Sequence, residues 1–127
     1  MTNDEIREFL QQAIDENSVM LFMKGTPNQP ACGFSARTAG ALNALGVQYA
    51  ALDILPDPRI REELSGLSGW PTIPQLFVNK ELVGGSDIVM EMFESGELAA
   101  LLGVEQPEEL EEPEVPKSPI GLENRLD

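Results

Sequence analysis

Hydrophobic residues recur at helical spacing near the start of the chain and then form a continuous run. Thr2, with Glu5 three residues later, has the pattern of a capping box, so we predict a helix from there to about residue 15. Its apolar stripe, expected to face a sheet, comprises Ile6, Phe9, Leu10, Ala13 and Ile14. Residues 18–23 are almost all apolar and predict a buried strand.

A second helix and a second strand are predicted after Cys32. The helix places four apolar residues on one face and ends at Gly46. These residues are Phe34, Ala41, Leu42 and Leu45. Residues 47–53 then predict a strand. Because a strand, a helix and a strand in succession form a βαβ unit, we expect the two strands to be parallel, with a right-handed crossover.

A third helix is predicted after a proline-rich break. Asp57 suits its N-cap and Pro58 its first position, and the helix should end between residues 66 and 69. Its inward residues are Ile60 and Leu64. Two short strands, residues 75–78 and 81–83, follow and predict a hairpin.

The hairpin turns at Asn79-Lys80 and leads into two closing helices. Gly84-Gly85 allows the backbone to turn or to approach another group closely, and Ser86 or Asp87 is expected to cap the next helix. The apolar residues of that helix are Ile88, Val89, Met92 and Phe93. Residues 97–102 predict a short last helix that Gly103 ends.

The composition changes at about residue 104. Residues 104–127 contain eight acidic and two basic residues, interleaved with prolines. Such a segment has little apolar surface to bury, so we predict one domain over residues 1–103 and a disordered acidic tail over 104–127. The tail could be a solubilising segment or bind a partner. The first interpretation is favoured, because charge runs usually stay solvated.

Charge and composition exclude several classes of function. The chain has a formal charge of −14, no histidine and one cysteine. Nucleic-acid binding needs clustered Lys and Arg, and an imidazole base or a His-based metal site needs histidine. One cysteine cannot form an internal disulfide or run a two-thiol Cys-x-x-Cys cycle. Any disulfide must therefore join Cys32 to another molecule.

The N-terminal residues and the hydropathy pattern indicate where in the cell the protein is expected. We expect no membrane span, because no apolar stretch reaches about 18 residues. The first residues are acidic, whereas targeting peptides are basic there. We therefore expect the protein to stay in the compartment that makes it, and favour the cytoplasm over the interior of an organelle.

Cys32 is the candidate for chemistry. It is predicted where a loop leaving a strand enters the first turn of a helix, and there the unpaired N–H groups and the positive helix pole favour a thiolate. Lys24 can add a positive charge. A lone cysteine often serves only as buried filler. Here Pro30 and Gly33, close on either side, suit exposure.

Several segments together resemble the monothiol glutaredoxins of the Cys-Gly-Phe-Ser type, over residues 2–103. The segments are Lys24-Gly25-Thr26-Pro27, Cys32-Gly33-Phe34-Ser35, Trp70-Pro71-Thr72-Ile73-Pro74-Gln75 and Val83-Gly84-Gly85-Ser86-Asp87. The resemblance implies an α/β, thioredoxin-like fold with a central four-stranded mixed sheet flanked by helices.

The resemblance also implies roles for particular residues. Cys32 matches the active-site cysteine, which in the family binds one iron of a [2Fe-2S] cluster. The residues matching the glutathione site are Lys24 and Arg61 for the glycyl carboxylate, Ile73 and a cis Pro74 for the peptide backbone, and Ser86 and Asp87 for the γ-glutamyl end. From the residues alone, the two cations could be surface charges and Asp87 an N-cap. Trp70 could be a partly buried aromatic anchor.

The shortage of thiols leads to the main functional hypothesis. A [2Fe-2S] cluster ordinarily takes four thiolates. Two chains and two glutathione molecules would supply them, so we expect a homodimer that carries clusters from a scaffold to acceptor proteins in cluster assembly and in redox and iron homeostasis. The family also suggests BolA-like proteins as partners.

Two other functions stay open. One is a glutathione-dependent oxidoreductase that reduces protein–glutathione mixed disulfides, which the resemblance implies to be weak. The other is a glutathione-gated interaction module. Many relatives have a second cysteine where this chain has Ser86. Oxidation should therefore give a glutathione adduct or a dimer linked through Cys32.

Overall fold

The computed structural model describes residues 1–106, which form five helices and four strands. In chain order the elements are α1 (Asn3–Glu16), β1 (Val19–Met23), α2 (Gly33–Ala44), β2 (Ala50–Asp53), α3 (Pro58–Ser68), β3 (Gln75–Val78), β4 (Glu81–Gly84), α4 (Ser86–Ser95) and α5 (Glu97–Leu102). The capping box predicted at Thr2 and Glu5 is present, as is the Asp57 cap of α3.

The strands form one mixed sheet in the order β2-β1-β3-β4. β1 pairs with β2 in parallel and with β3 in antiparallel orientation, and β3 and β4 are antiparallel. The turn between β3 and β4 has positive φ at Asn79 (51°) and Lys80 (72°). The predicted parallel pair, the hairpin and the four-stranded mixed sheet are therefore confirmed.

The central strand β1 is buried on both faces because helices cover each side of the sheet. Val19, Leu21 and Met23 belong to an apolar cluster with α2, α4 and α5. Met20 and Phe22 belong to a second cluster with α1 and α3. The alternation of side chains along one strand thus divides the core into two layers.

Four details differ from the predictions. Phe9 is 48% exposed, because the buried stripe of α1 is limited to Ile6, Leu10 and Ile14, spaced four residues apart. The second strand begins at Ala50 rather than at residue 47. The N-cap of α4 is Gly85 and not Ser86 or Asp87. Phe34 is 58% exposed.

The exposure of Phe34 follows from its position at the start of α2. It lies in the first turn, two residues after the N-cap Cys32, at the edge of the sheet where β1 ends. Residues further along, including Leu42, pack between helices and sheet. Helical periodicity alone could not distinguish the two environments.

The last described residues continue along the domain surface. The Val104 N–H donates to the Ala99 carbonyl at 3.0 Å, and Val104 packs against the cluster of α2, α4 and α5. The predicted disordered tail covers residues 104–127, of which 107–127 lie outside the described part of the chain, and the domain boundary stays a prediction. Within residues 1–106, the helices are all too short or too polar to cross a bilayer.

Candidate functional site

The ends of three strands bring the predicted site residues to one edge of the sheet. β1 ends at Met23, directly before Lys24, and β3 begins at Gln75, directly after Pro74. Because these strands are antiparallel, with Phe22 opposite Gln75, the two points adjoin. β4 returns to the same edge at Gly84, opposite Leu76. The edge thus brings the segment after β1 together with two segments that lie 50 residues or more further along the chain.

The loop from Lys24 to Ala31 is closed by its own backbone. The Ala31 N–H donates to the Lys24 carbonyl at 2.9 Å, and Thr26 and Gln29 exchange backbone hydrogen bonds of 3.2 and 3.0 Å. Gly25 has φ of 83°, and a Cβ there would collide with the Gln29 carbonyl oxygen. This position therefore requires glycine.

Asp53, the last residue of β2, ties this loop to the neighbouring strand. Its Oδ1 accepts hydrogen bonds from the Gly25 N–H at 2.9 Å and the Leu55 N–H at 3.0 Å. The Ile54 N–H donates to the Met23 carbonyl at 2.9 Å. The loop before the cysteine is therefore held at both its start and its end.

Cys32 is the N-cap of α2 and is half-buried. Its sulfur accepts a hydrogen bond from the Ser35 N–H at 3.4 Å and lies 3.4 Å from the Ser35 hydroxyl oxygen. The same hydroxyl oxygen accepts the Lys24 N–H at 3.0 Å. The next residue, Gly33, is exposed, and apart from its chain neighbours a Cβ there would meet nothing within 4 Å.

The surroundings of Cys32 favour the thiolate. Burial alone raises the pKa of the thiol, but the hydrogen bonds from Ser35 and the Phe34 N–H, together with the positive charge of Lys24, outweigh it and lower the pKa below its ordinary value. This direction agrees with the prediction made from the helix start. The contribution of the Ser35 side chain was not foreseen.

A cleft of about 380 Å³ opens beside the cysteine. Its volume is within the range of small-molecule sites. Its lining residues are Lys24, Phe34, Arg61, Trp70, Thr72, Ile73, Pro74, Gly85, Ser86, Asp87 and Ile88. All six residues predicted to bind glutathione are therefore in one cleft. Cys32 is not among the lining residues, but its neighbours Lys24 and Phe34 are.

Two cations, one carboxylate and a helix start give the cleft its polarity. Lys24 and Arg61 contribute positive charge and Asp87 negative charge. The first turn of α4 begins at Ser86 and has no side-chain cap, so its N–H groups face no competing side-chain acceptor there. The Arg61 guanidinium also donates to the Pro71 carbonyl at 3.4 Å. The Ile73–Pro74 peptide is cis, as predicted.

The two glycines before α4 allow close packing, as their sequence predicted. A Cβ on Gly85 would lie 3.0 Å from Trp70 Nε1 and 3.4 Å from the Pro74 carbonyl oxygen. A Cβ on Gly84 would lie 2.8 Å from Ile88 Cδ1. The half-buried indole thus packs against the start of α4, as the anchor interpretation of Trp70 expects, and it also lines the cleft.

Sequence reasoning missed several residues of this site. Phe34 and Ile88 were expected to be buried but line the cleft, and Ser35, Asp53 and Gln75 were given no role. Ser35 and Gln75 are polar residues inside the segments that carry the family resemblance, and this is the sequence signal that could have identified them. Their hydrogen-bond partners, however, depend on tertiary structure.

The described residues contain one thiol and no cluster of side chains that could bind a metal ion by itself. Residues 1–106 contain no cluster of three or more His, Cys, Asp or Glu side chains suited to a metal ion. A thiol that favours its ionised form is nevertheless suited to iron, since the thiolate is the ligating species. Cys32 can therefore provide one ligand of a cluster or act as a nucleophile.

Comparison with known proteins gives consistent matches. The family model for glutaredoxin matches residues 19–83. Monothiol glutaredoxin-5, mitochondrial, from Saccharomyces cerevisiae is 52% identical, over 85% of this chain and 76% of that protein. Glutaredoxin 4 from Escherichia coli K12 is 53% identical, over 75% of this chain and 83% of that protein. A buckwheat glutaredoxin–glutathione complex superposes with a TM-score of 0.70 at 25% identity, over 80% of this chain and 90% of that one.

Proposed function

The chain belongs to the glutaredoxin family, as a monothiol member, and from this premise we propose that it carries a glutathione-ligated [2Fe-2S] cluster between proteins. The observation that carries the proposal is the position of the Cys32 thiol. It is half-buried, its pKa is lowered, and it lies beside a charged cleft whose lining includes Lys24.

The cleft suits glutathione by its charges. Glutathione has two carboxylates, one ammonium group and a short peptide backbone. Lys24 and Arg61 can pair with one carboxylate, and the uncapped start of α4 can donate N–H groups to the other. Asp87 can accept the ammonium group. The pairing of β1 with β3 ends at Gln75, so Ile73 lies beyond the ladder, where its backbone can pair with the ligand.

The cluster is the cargo in this proposal. One chain supplies one thiolate from Cys32, whereas a [2Fe-2S] cluster takes four. Two chains and two bound glutathione thiolates would complete the set at a homodimer interface. Because half of these ligands are exchangeable small molecules, release to an acceptor should be easy.

The partners in the proposal follow from this role. A scaffold protein would supply the cluster and an acceptor protein would take it. BolA-like proteins would replace one subunit of the dimer. The cytoplasm is the location we propose.

Chemical reconstitution tests the proposal. Purified protein is incubated anaerobically with ferrous iron and sulfide, with and without reduced glutathione. We expect visible sulfur-to-iron charge-transfer absorption only when glutathione is present, and none for Cys32→Ser. Arg37→Ala, on the exposed face of α2 and outside the cleft, is the matched control and should bind the cluster like wild type. Cluster binding that Cys32→Ser retains would refute the proposal.

The lowered pKa of Cys32 also favours a second candidate function, reduction of protein–glutathione mixed disulfides. The Cys32 thiolate would attack the glutathione sulfur of the mixed disulfide, the substrate thiolate would leave, and a second glutathione would reduce the adduct and form glutathione disulfide. Turnover of a glutathionylated peptide, measured beside cluster transfer to an apo-ferredoxin, separates the two. Rapid turnover without transfer would favour the oxidoreductase.

A further inference from the structure

We propose that Gln75 is a positioning residue for the glutathione site. Its buried side-chain amide holds residues 70–72 in the conformation that presents Thr72 and Ile73 to the ligand. The inference rests on the proposed function, because the ligand in question is the tripeptide. It adds a residue that does not line the cleft.

The hydrogen bonds of Gln75 define this role. It is the first residue of β3 and its side chain is 0% exposed. Its Nε2 donates to the Trp70 carbonyl at 2.9 Å and to the Thr72 carbonyl at 3.2 Å. An amide nitrogen has two N–H donors, so both are used on one short segment. A single side chain therefore ties both ends of residues 70–72 to the sheet.

The tied segment forms much of the cleft. Trp70 and Thr72 line it directly, and the carbonyl of Pro71 between them accepts the hydrogen bond from Arg61. The Trp70 indole packs against Gly85 at the start of α4. A shift of this segment would therefore move the Trp70 indole and the Thr72 backbone. The Pro71 carbonyl that accepts from Arg61 would move with them.

The chemistry at this position requires a donor. Two carbonyl oxygens face the side chain, so an amide can satisfy both, whereas an ionised carboxylate can satisfy neither. The Oε1 atom of Gln75 is buried and has no hydrogen-bond partner within residues 1–106. The amide is therefore held through its donors alone, and an apolar side chain of similar length would leave both carbonyls unpaired.

The test uses full-length protein with the variants Gln75→Met and Gln75→Glu. Leu98→Ala, a fully buried position in α5 outside the cleft, is the control for a general loss of packing. Reduced glutathione is titrated calorimetrically under conditions where circular dichroism shows every variant to be folded. Trp70 is the chain's one tryptophan, so its fluorescence reports on the segment itself, with no ligand needed.

We expect Gln75→Met to weaken glutathione binding by about tenfold or more, since two buried hydrogen bonds are lost. Its Trp70 emission should shift in the free protein, while the pH profile of Cys32 alkylation stays unchanged. For Gln75→Glu, the loss relative to wild type should shrink as the pH falls, because a protonated carboxyl can donate to one carbonyl. Leu98→Ala should bind within about twofold of wild type.

The outcomes separate the inference from the function beneath it. If wild-type protein binds no glutathione, the proposed function is refuted. The Trp70 emission of Gln75→Met then still tests whether Gln75 keeps residues 70–72 in place. Wild-type binding that Gln75→Met retains within twofold, with unchanged Trp70 emission, refutes the inference alone. Equal losses in Gln75→Met and Leu98→Ala, or a pH-independent loss in Gln75→Glu, also refute it.

Discussion

Replacing Ser35 with alanine should make the Cys32 thiolate harder to form. The Ser35 hydroxyl oxygen accepts the Lys24 N–H at 3.0 Å and lies 3.4 Å from the sulfur. Once the thiol ionises, the hydroxyl can turn its proton toward the sulfur, and it then stabilises the thiolate directly. The substitution removes this hydrogen bond and leaves the Ser35 N–H bond in place.

The size of the effect follows from the geometry. A hydrogen bond to a charged group contributes about 1.5–3 kcal/mol, and the length of this one, with the partial exposure of Cys32, favours the lower end. About 1.4 kcal/mol corresponds to a factor of ten, so the thiolate-to-thiol ratio at neutral pH should fall about tenfold. The remaining thiolate is more nucleophilic, because nucleophilicity rises with pKa. At a pH below both thiol pKa values, the alkylation rate should therefore fall only about threefold.

The assay is the ultraviolet absorbance of the thiolate as a function of pH, followed by the iodoacetamide rate at a pH below both titration midpoints. Thr38→Val is the matched control, because Thr38 is also fully buried on α2 and its hydroxyl donates to the Phe34 carbonyl at 3.0 Å rather than contacting the sulfur. We expect this variant to titrate like wild type. Unchanged titration of Ser35→Ala, or an equal shift in Thr38→Val, would refute the reasoning.

Three further predictions follow from the cleft and from helix capping. Arg61→Ala should weaken glutathione binding in calorimetry by about tenfold, as expected for a charge-assisted pair, while Arg37→Ala, outside the cleft, should bind normally. Gly85→Ala should displace the Trp70 indole, shifting its fluorescence and reducing glutathione affinity, because the added Cβ would lie 3.0 Å from Nε1. The helix-start hydrogen bonds lower the pKa of Glu5 in the folded state, so its contribution to stability is present above its unfolded pKa and is lost as the pH falls through the folded value. Urea midpoints of Glu5→Gln should therefore depend less on pH in the acidic range, and equal slopes would contradict this.

The helices and strands were predicted from signals that lie close together in the sequence. The capping box at Thr2, the apolar run of β1 and the Asn79-Lys80 turn each depend on neighbours in sequence, and each is present. The same holds for Cys32, whose position between a strand and a helix determines its capping role.

Features that depend on distant contacts could not be predicted in this way. Asp53 bonds to Gly25 across 28 positions, and Ser35 bonds to Lys24 across 11. Nothing in the spacing of these residues indicates such pairs. Phe34 has the hydrophobicity of a core residue and is exposed because its turn begins at the edge of the sheet.

The prediction of the cleft residues rested on the family resemblance more than on physical inference from the sequence. Arg61 and Asp87 are ordinary exposed charges in sequence. Both line the cleft because α3 and α4 begin near the sheet edge where β1 ends and β3 starts. The order of the strands and the positions of the helix starts determine that these two residues share a cleft. Neither can be deduced from a single charged residue.

Native mass spectrometry of the reconstituted protein tests the central claim most directly. With iron, sulfide and reduced glutathione supplied, we predict a species of two chains, one [2Fe-2S] cluster and two glutathione molecules, which Cys32→Ser does not form. A cluster held by a single chain, or by a dimer without glutathione, would contradict the account.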